Sequence, residues 1–332
     1  MKREIAESPM NGKARALWYV TRGAAELRPV VLVPPGPDQA LVRTLWSGLS
    51  RGTERLVFDG GVSAAESERM RAPFQEGDFP FPVKYGYCAV GIAEEGPEAV
   101  RGRTVFALHP HQDRFVAPAA ALAAVPEGVP ARRAILAANM ETALNALWDS
   151  GAGPGDRVLV VGAGVVGCLV AALAGAMAGT EVTLVDVDLS RRAVARTLGV
   201  GFAKPLDAPG EADVVFHASA NPSGLACALA CAGTEATVVE ISWYGDRMVP
   251  APLGLDFHSR RLKLVSSQVG RVAASRRPRW DHGRRLRKAL SLLADDRLDA
   301  LITEEVAFED LPREIPRLLA PGAAGLTAAI RF

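Results

Sequence analysis

The segment that most constrains the fold of this chain is an apolar run followed at once by a glycine-rich turn. Residues 158–161 predict a buried strand, and a G-x-G-x-x-G turn and a helix of small residues follow it. In such a turn the glycines allow a tight bend, close approach of the backbone to a pyrophosphate, and close packing of the helix. The N-terminus of the following helix carries free N–H groups and the positive end of the helix dipole, so it binds the phosphates of a dinucleotide well. We therefore predict a dinucleotide-binding turn made by Gly162, Gly164, Val165, Val166 and Gly167.

A second predicted strand ends in an acidic residue at the distance that such a site requires. Residues 181–185 form that strand, and Asp186 follows Gly162 by 24 residues. A carboxylate at about this spacing accepts hydrogen bonds from the adenosine ribose, and it disfavours a 2′-phosphate. We expect NAD(H) to bind in preference to NADP(H), unless Arg191 or Arg192 turns toward the site. A related nucleotide-binding fold is the alternative.

Composition places the chain among globular proteins. Its 332 residues predict about two domains, and 49% hydrophobic with 23% charged residues is typical of folded proteins. The net charge of +1 predicts neither a nucleic-acid nor a membrane partner. The four cysteines lack C-x-x-C spacing, and the N-terminus lacks the apolar segment of a signal peptide. We expect a cytoplasmic protein.

Three regions of the chain differ in pattern, and together they predict an α/β protein. Short β-like runs separated by Gly and Pro predict a barrel-like β domain over about the first 125 residues. Alternating strands and helices over 126–281 predict a doubly wound parallel sheet of Rossmann type. A helix over 284–295 and a strand over 327–331 close the chain. The other predicted strands are 16–21, 30–33, 40–47, 89–94, 104–108, 113–117, 214–216, 237–240 and 262–265.

Several segments resemble the medium-chain dehydrogenase/reductase superfamily over nearly the whole length. They are residues 42–49, 83–91, 102–106, 155–160, 301–303 and 308–311. The resemblance implies a GroES-like catalytic domain over 1–125, completed by 282–332, beside a Rossmann domain over 126–281. It also implies an NAD(P)-dependent oxidoreductase of the alcohol dehydrogenase type, with a small-molecule substrate, and a homodimer.

The positions that bind zinc in zinc-dependent members of the superfamily carry other residue types here. The expected cysteine, histidine and third ligand correspond to Ser50, Tyr87 and residues 138–139, and the structural zinc lobe is missing. Zinc prefers thiolate, imidazole or carboxylate ligands. The resemblance therefore implies a zinc-free member. A metal site made of Tyr87, Cys88 and Glu54 is the alternative.

Two features narrow the resemblance. The loop over 47–54 is similar to the branch that contains 2-desacetyl-2-hydroxyethyl bacteriochlorophyllide dehydrogenase, and the turn reads G-A-G-V-V-G. Together they imply exchange between a secondary alcohol and a ketone. The alternatives are an enoyl or quinone reductase, and a non-catalytic dinucleotide-binding sensor or structural protein.

Without zinc, another group must donate to the oxygen on which negative charge develops. Tyr87 stands at the position of a zinc ligand, and Thr53 matches the hydroxyl that relays protons in zinc-dependent relatives. His109 and His111 are expected near the mouth of the cleft, where a histidine exchanges protons with solvent. Packing, turn and surface roles are the respective alternatives.

Further candidates follow from the resemblance and from charge. Thr142 matches a threonine that contacts the nicotinamide, and the tentative substrate residues are Ser50, Arg51, Glu141 and Trp243. Residues 258–288 hold eleven Arg and Lys against the single acid Asp281. This stretch predicts either a solvated face with ion pairs or a rim that attracts an anionic substrate.

Overall fold

The computed structural model describes residues 13–332, and the first third of these is mainly β-structure. One helix, α1 (Arg51–Phe58), follows the third strand. These strands form a four-stranded sheet in the order β2-β1-β5-β4 and part of a seven-stranded sheet. The strands are β1 (Lys13–Thr21), β2 (Ala24–Val31), β3 (Gln39–Leu49), β4 (Glu76–Gly77), β5 (Val83–Lys84), β6 (Ala89–Glu95), β7 (Thr104–Ala107), β8 (Arg114–Pro118) and β9 (Ala123–Ala124).

The middle of the chain forms a six-stranded parallel sheet in the order β12-β11-β10-β13-β14-β15. The order reverses between β10 and β13, and dinucleotides bind across such a switch point. The elements are α2 (Ala131–Ala134), α3 (Ala137–Ser150), β10 (Arg157–Val161), α4 (Val165–Gly175), β11 (Glu181–Val185), α5 (Arg191–Leu198), β12 (Gly201–Ala203), β13 (Ala212–His217), α6 (Pro222–Cys231), β14 (Ala232–Glu240), α7 (Asp256–Ser259) and β15 (Lys263–Ser266).

The last segment returns to the N-terminal strands. It contains α8 (His282–Leu292), β16 (Ile302–Ala307), α9 (Leu311–Leu318) and β17 (Thr327–Arg331). β17 pairs in parallel with β16 and antiparallel with β3, so the seven-stranded sheet has the order β16-β17-β3-β6-β7-β9, with β8 paired to β3. The tail thus covers the same β-rich unit that the chain builds first.

Two hydrophobic clusters meet near one tyrosine. The first joins α3, β10 and α4 of the middle region to Cys88 and Val90 of the β-rich unit. The second joins β1, β3, β17 and α9. Tyr87 packs against both clusters, so its ring lies where the two units meet.

The boundaries differ from the predictions where pairing extends an element. β2 begins at Ala24 rather than residue 30, because it pairs with β1 along nearly its full length. The three-residue β12 and the helix α1 were not predicted. The predicted helix over 284–295 begins at His282, since the Asp281 carboxylate accepts a hydrogen bond of 2.6 Å from the backbone N–H of Arg284. Over residues 13–332, none of the helices has the length and apolar character needed to cross a membrane.

Candidate functional site

The glycine turn after β10 has the geometry that its sequence predicts. Gly162 has φ of 107°, which L-residues rarely adopt, and a Cβ there would lie 2.7 Å from the backbone nitrogen of Ser219. A Cβ on Gly167 would lie 1.9 Å from the carbonyl oxygen of Gly162. Only glycine allows α4 to start so close to the strand.

Gly164 differs from these two glycines because it faces open space. It precedes α4, and no heavy atom lies within 4 Å of the position that its Cβ would take. The first N–H groups of a helix lack partners inside the helix and carry its positive dipole end. The space beside Gly164 is therefore suited to an anionic group of a ligand.

Asp186 lies beside this turn at the end of β11. Its carboxylate accepts hydrogen bonds from the backbone N–H groups of Ala163, at 2.7 Å, and Asp188, at 2.9 Å. Each carboxylate oxygen keeps a second lone pair, so Asp186 still accepts from a ribose hydroxyl. The acid and the glycine turn are thus held as one unit.

Two arginines from different units meet at the tail loop before β17. The guanidinium of Arg191 donates to the Gly325 carbonyl at 2.8 Å, and that of Arg51 donates to the same oxygen at 3.0 Å. Arg51 also pairs with Glu304 at 2.8 Å. Its Nε is buried with no hydrogen-bond partner among the described residues. Burial raises the pKa of Cys168 on α4 to about 12, and the positive charge of Arg191 opposes this shift. Arg191 is therefore close to α4, and Arg51 shares its carbonyl partner.

Arg192, the other arginine that the sequence analysis considered for a 2′-phosphate, stacks on Phe202 of β12. Its guanidinium carbon lies 5.6 Å from the centre of the Phe202 ring. Arg191 is itself held by Gly325 and by the Asp188 carboxylate at 3.3 Å.

Tyr87 and Ser50 form the polar centre on the β-rich side. Ser50 precedes α1, and its backbone N–H donates to the Glu54 carboxylate at 2.8 Å, while its hydroxyl makes no capping bond. The Ser50 side chain lies near the Tyr87 phenol and favours its charged form, against the larger effects that raise its pKa. Burial raises the pKa of Tyr87 well above its usual value, and Cys88, Tyr85 and Glu54 add to the effect. The phenol therefore remains protonated and acts as a donor. Thr53 lies partly buried on α1.

A fully buried network lies beneath this centre. The Glu54 carboxylate accepts from the Tyr19 hydroxyl and from Nε2 of His111, each at 2.8 Å. Nδ1 of His111 contacts the Ser47 hydroxyl. Gly86, with φ of 121°, leaves room for the ring, since a Cβ there would lie 2.9 Å from it. His111 thus connects β-rich elements in the interior.

His109 is also an interior residue. Its ring stacks on Phe115 at 3.8 Å, and its Nδ1 donates to the Pro110 carbonyl at 3.0 Å. Burial lowers the pKa of His109 to about 3, so the ring is neutral. Both His109 and His111 were expected at the mouth of a cleft, and that placement is wrong: their exposed fractions are 4% and 0%.

Glu141 faces the interior rather than a substrate. Its carboxylate accepts from the Arg285 guanidinium at 2.9 Å, which also donates to Asn145 at 2.6 Å and to the Val269 carbonyl at 2.5 Å. The expectation of substrate contact at Glu141 is therefore replaced by an ion pair between α3 and α8. Thr142 donates from its hydroxyl to the Ala138 carbonyl at 3.1 Å.

Much of the basic stretch over 258–288 is occupied by protein contacts. Arg285 is buried, as described. Arg260 pairs with Glu211, and Arg261 pairs with Glu235 at 2.7 Å. Arg276 and Arg284 stack over Trp148 and Trp280, at 5.5 and 4.1 Å. These contacts favour the structural interpretation over an anion-attracting rim.

The sequence reasoning missed a polar cluster at the ends of β13 and β14. Nδ1 of His217 lies 2.7 Å from the Glu240 carboxylate, and its Nε2 lies 2.7 Å from the Ser219 hydroxyl. The Tyr244 hydroxyl lies 3.4 Å from Glu240. A signal was present, because polar residues that end adjacent parallel strands meet at one edge of the sheet, where ligands bind.

The loop after β14 joins this cluster to the tyrosine centre. Trp243 packs against the cluster of residues that surrounds Tyr87. A Cβ on Gly245 would lie 2.7 Å from the Gly61 carbonyl and 2.9 Å from Leu56. The end of β14 therefore lies against α1 and the loop that follows it.

The surface cavities and the possible metal ligands of the described residues identify no further binding site. Two shallow depressions of about 450 and 410 Å³ are lined by loops of residues 35–39 with 95–97, and by 103–104 with 124–131, away from these side chains. Within residues 13–332, His, Cys, Asp and Glu do not gather in threes as a metal site. Burial raises the pKa of the Cys88 thiol well above its usual value. These findings do not support the alternative metal site at Tyr87, Cys88 and Glu54.

The sequence has a distant curated relative. No family model matches the chain. A protein of Haemophilus influenzae, described as an uncharacterized zinc-type alcohol dehydrogenase-like protein, is 26% identical over 215 residues. The match covers 60% of this chain and 58% of that protein, so it spans little more than half of the relative's length.

Solved structures resemble the whole chain. A candidate zinc-binding dehydrogenase from Sinorhizobium meliloti 1021, bound to NADP, has a TM-score of 0.77 at 20% identity, over 97% of this chain and all of that one. A short chain alcohol dehydrogenase from Escherichia coli CFT073, in complex with NADH, has a TM-score of 0.74 at 16% identity, again over 97% of this chain and all of the other. The predicted fold is confirmed: a Rossmann-type parallel sheet lies beside a β-rich unit, as in these dehydrogenase structures.

Proposed function

We propose that this protein is an NAD(H)-dependent oxidoreductase that transfers a hydride between the cofactor and a secondary alcohol or ketone, without zinc. The observation that carries the proposal is the glycine turn joined to Asp186 at the switch point of the parallel sheet. Dinucleotide-binding folds use this arrangement to hold both the pyrophosphate and the ribose. Solved structures of the same fold were determined with NADP and with NADH.

The residues present suit a dinucleotide. The open space beside Gly164 and the start of α4 would hold the pyrophosphate, with Arg51 and Arg191 supplying positive charge. The buried Nε of Arg51 is a donor in need of an acceptor. The bound cofactor supplies or accepts the hydride. The two arginines belong to different units, so they would also hold these units around it.

Preference for NAD(H) rests on Asp186 and on where the arginines point. The Asp186 carboxylate lies beside the turn, where it disfavours the charge of a 2′-phosphate. Arg191 is held by Gly325, and Arg192 stacks on Phe202. Both guanidinium groups thus have partners within the protein, which favours NAD(H) over NADP(H).

Zinc independence rests on the chemistry of the side chains. By the resemblance, Ser50, Tyr87 and residues 138–139 (Ala-Asn) stand at the positions of the zinc ligands in zinc-dependent members, and they do not fit a zinc ion. We assign polarisation of the carbonyl and delivery of the proton to Tyr87, with Ser50 near its hydroxyl and Thr53 as a second hydroxyl on α1. Oxygen that gains negative charge during hydride transfer is stabilised by such a donor.

We place the substrate between Tyr87 and Trp243, because both pack in the same cluster where the units meet. The loop over 47–54 resembles the branch that contains 2-desacetyl-2-hydroxyethyl bacteriochlorophyllide dehydrogenase, and this resemblance favours exchange between a secondary alcohol and a ketone. Reduction of a C=C bond by an enoyl or quinone reductase is the second reaction to test.

A homodimer is part of the proposal. β15 is the outer strand of the parallel sheet, and its Leu264 is 38% exposed. Met248, Leu253 and Leu255, in the segment between β14 and α7, are also exposed. An exposed strand edge with apolar side chains pairs readily with a second chain. Sedimentation of the protein and of Leu264→Lys tests this, and dissociation of the variant is the expected result.

The function is tested by titration and turnover together. NADH should bind, as followed by nicotinamide fluorescence, and its absorbance should fall in the presence of a subset of a ketone panel. Binding without turnover of any ketone or enone would favour the non-catalytic sensor. No binding of either reduced cofactor would refute the proposal.

A further inference from the structure

His217, Ser219 and Glu240 form a hydrogen-bonded chain that the proposed reaction does not yet use. Carboxylate, imidazole and hydroxyl follow one another, with 2.7 Å between Glu240 and Nδ1 and 2.7 Å between Nε2 and the Ser219 hydroxyl. This order of groups moves a proton to and from a serine hydroxyl in serine hydrolases. The His217 side chain is fully buried, whereas Ser219 is partly exposed. The chain of groups therefore joins two partly exposed ends, Glu240 and Ser219, through the buried imidazole of His217.

Ser219 lies on the far side of the switch point from Asp186. Its backbone nitrogen is 2.7 Å from the position of a Cβ on Gly162, and it follows β13, the neighbour of β10. Asp186 follows β11, on the other side of β10. A dinucleotide that crosses the switch point with its adenosine ribose at Asp186 places its nicotinamide half toward Ser219.

The local backbone leaves room for this arrangement. A Cβ on Gly224 of α6 would lie 2.2 Å from the Ser219 hydroxyl oxygen and 2.8 Å from Nε2 of His217. Ala220 has φ of 51°, which L-residues rarely adopt, and its N–H donates to the Ser242 hydroxyl at 3.0 Å. Glycine at 224 and the bend at 220 together turn the Ser219 hydroxyl toward the imidazole.

The charged and titratable groups around His217 are Glu240, Tyr244 and Arg247. Burial alone would raise the pKa of Glu240, but hydrogen bonds from His217 and Ser242 outweigh it and hold the pKa below its usual value. Tyr244 lies 3.4 Å from Nδ1 and is neutral at working pH, since burial raises its pKa to about 12. Arg247 stacks over that tyrosine at 5.6 Å. From α6, Gly224 faces the ring without a charge.

We propose that Glu240, His217 and Ser219 form the relay that exchanges the proton of the reaction with solvent, an inference that rests on the proposed function. In ketone reduction, the hydride adds to the carbonyl carbon and the oxygen takes a proton from Tyr87. Ser219 passes its hydroxyl proton into the cleft, where the deprotonated donor takes it up, and receives a proton from Nε2 of His217. Nδ1 of His217 takes up a proton from Glu240, and solvent returns one to the Glu240 carboxylate, whose side chain is 17% exposed.

Kinetics of Ser219→Ala test the relay, since this variant removes one oxygen only. With a ketone that the native protein reduces, we expect steady-state kcat to fall about 10²-fold, while the first hydride transfer in a single turnover keeps its rate. Added imidazole buffer should restore part of kcat. Ser223→Ala, which removes an exposed hydroxyl on α6, is the matched control and should keep both rates. An unchanged kcat in Ser219→Ala would overturn the relay.

A second measurement needs no ketone. The ring signals of His217 in an NMR spectrum are identified by their loss in His217→Asn, among the five histidines of the chain. Saturation with NADH should move these signals and leave those of His109 in place. Unmoved His217 signals would overturn the relay even if ketones are reduced. If NADH moves them but no ketone reacts, the placement of the relay stands and the proposed reaction fails.

Discussion

The carbonyl oxygen of Gly162 lies 1.9 Å from the position that a Cβ on Gly167 would take. The turn and the first turn of α4 are thus in direct contact, while Gly164 between them faces open space. The three glycines of this motif therefore have two different structural roles. Two of them fix the backbone, and the third leaves room for a ligand.

Alanine at these positions should separate folding from binding. Gly164→Ala should keep the melting temperature of the native protein but weaken NADH binding at least about 10-fold, because the methyl group enters the ligand space. Gly167→Ala should lower stability by about 1–3 kcal/mol, because the backbone must shift. Thermal unfolding and fluorescence titration of both variants check this. Equal NADH affinity in Gly164→Ala and the native protein would contradict the assigned site.

Removal of one hydroxyl tests the donor. Tyr87→Phe keeps the ring that packs against both hydrophobic clusters, and it removes the donor to the substrate oxygen. We expect kcat to fall about 10²–10⁴-fold, with little change in the dissociation constant of NADH, because Tyr87 is not among the residues proposed to hold the cofactor. Thr53→Val should cost less. Near-native turnover in Tyr87→Phe would contradict the role of Tyr87 as proton donor and would leave it a role in packing only.

Cofactor preference follows from the acid after β11. Fluorescence titration should show tighter binding of NADH than of NADPH. Asp186→Asn keeps an oxygen for the N–H of Ala163 and loses the charge, so it should weaken NADH binding and improve NADPH binding. Asp207→Asn, at an exposed acid after β12, is the control and should change little. Tighter NADPH binding to the native protein would reverse the assignment.

His109 should make the fold sensitive to acid. Its pKa is lowered from 6.5 to about 3, so below pH 6.5 the unfolded chain binds a proton that the folded protein does not. Stability from this residue is fully present above that pH and is lost as the pH falls toward 3. Between pH 6.5 and about 5, the native protein should lose about 2 kcal/mol more than His109→Gln. Urea unfolding of both proteins measures the difference, and parallel losses would contradict it.

The sequence predicted the parts of this molecule whose signal is local. The run over 158–161 with its three glycines predicted the turn, because each glycine meets a constraint within a few residues. The burial of His111 was not predictable in this way, since its partners Ser47 and Glu54 are 64 and 57 residues away. Likewise, the pairing of Glu141 with Arg285 joins helices 144 residues apart.

The most direct test of the account is hydride transfer by metal-depleted protein. Zinc is measured by elemental analysis, and NADH absorbance is followed with a ketone before and after chelation. We predict well under one zinc per chain, turnover that the chelator leaves unchanged, and no gain when zinc is restored. About one zinc per chain, with activity lost on chelation and regained with zinc, would contradict the zinc-free mechanism built on Ser50 and Tyr87.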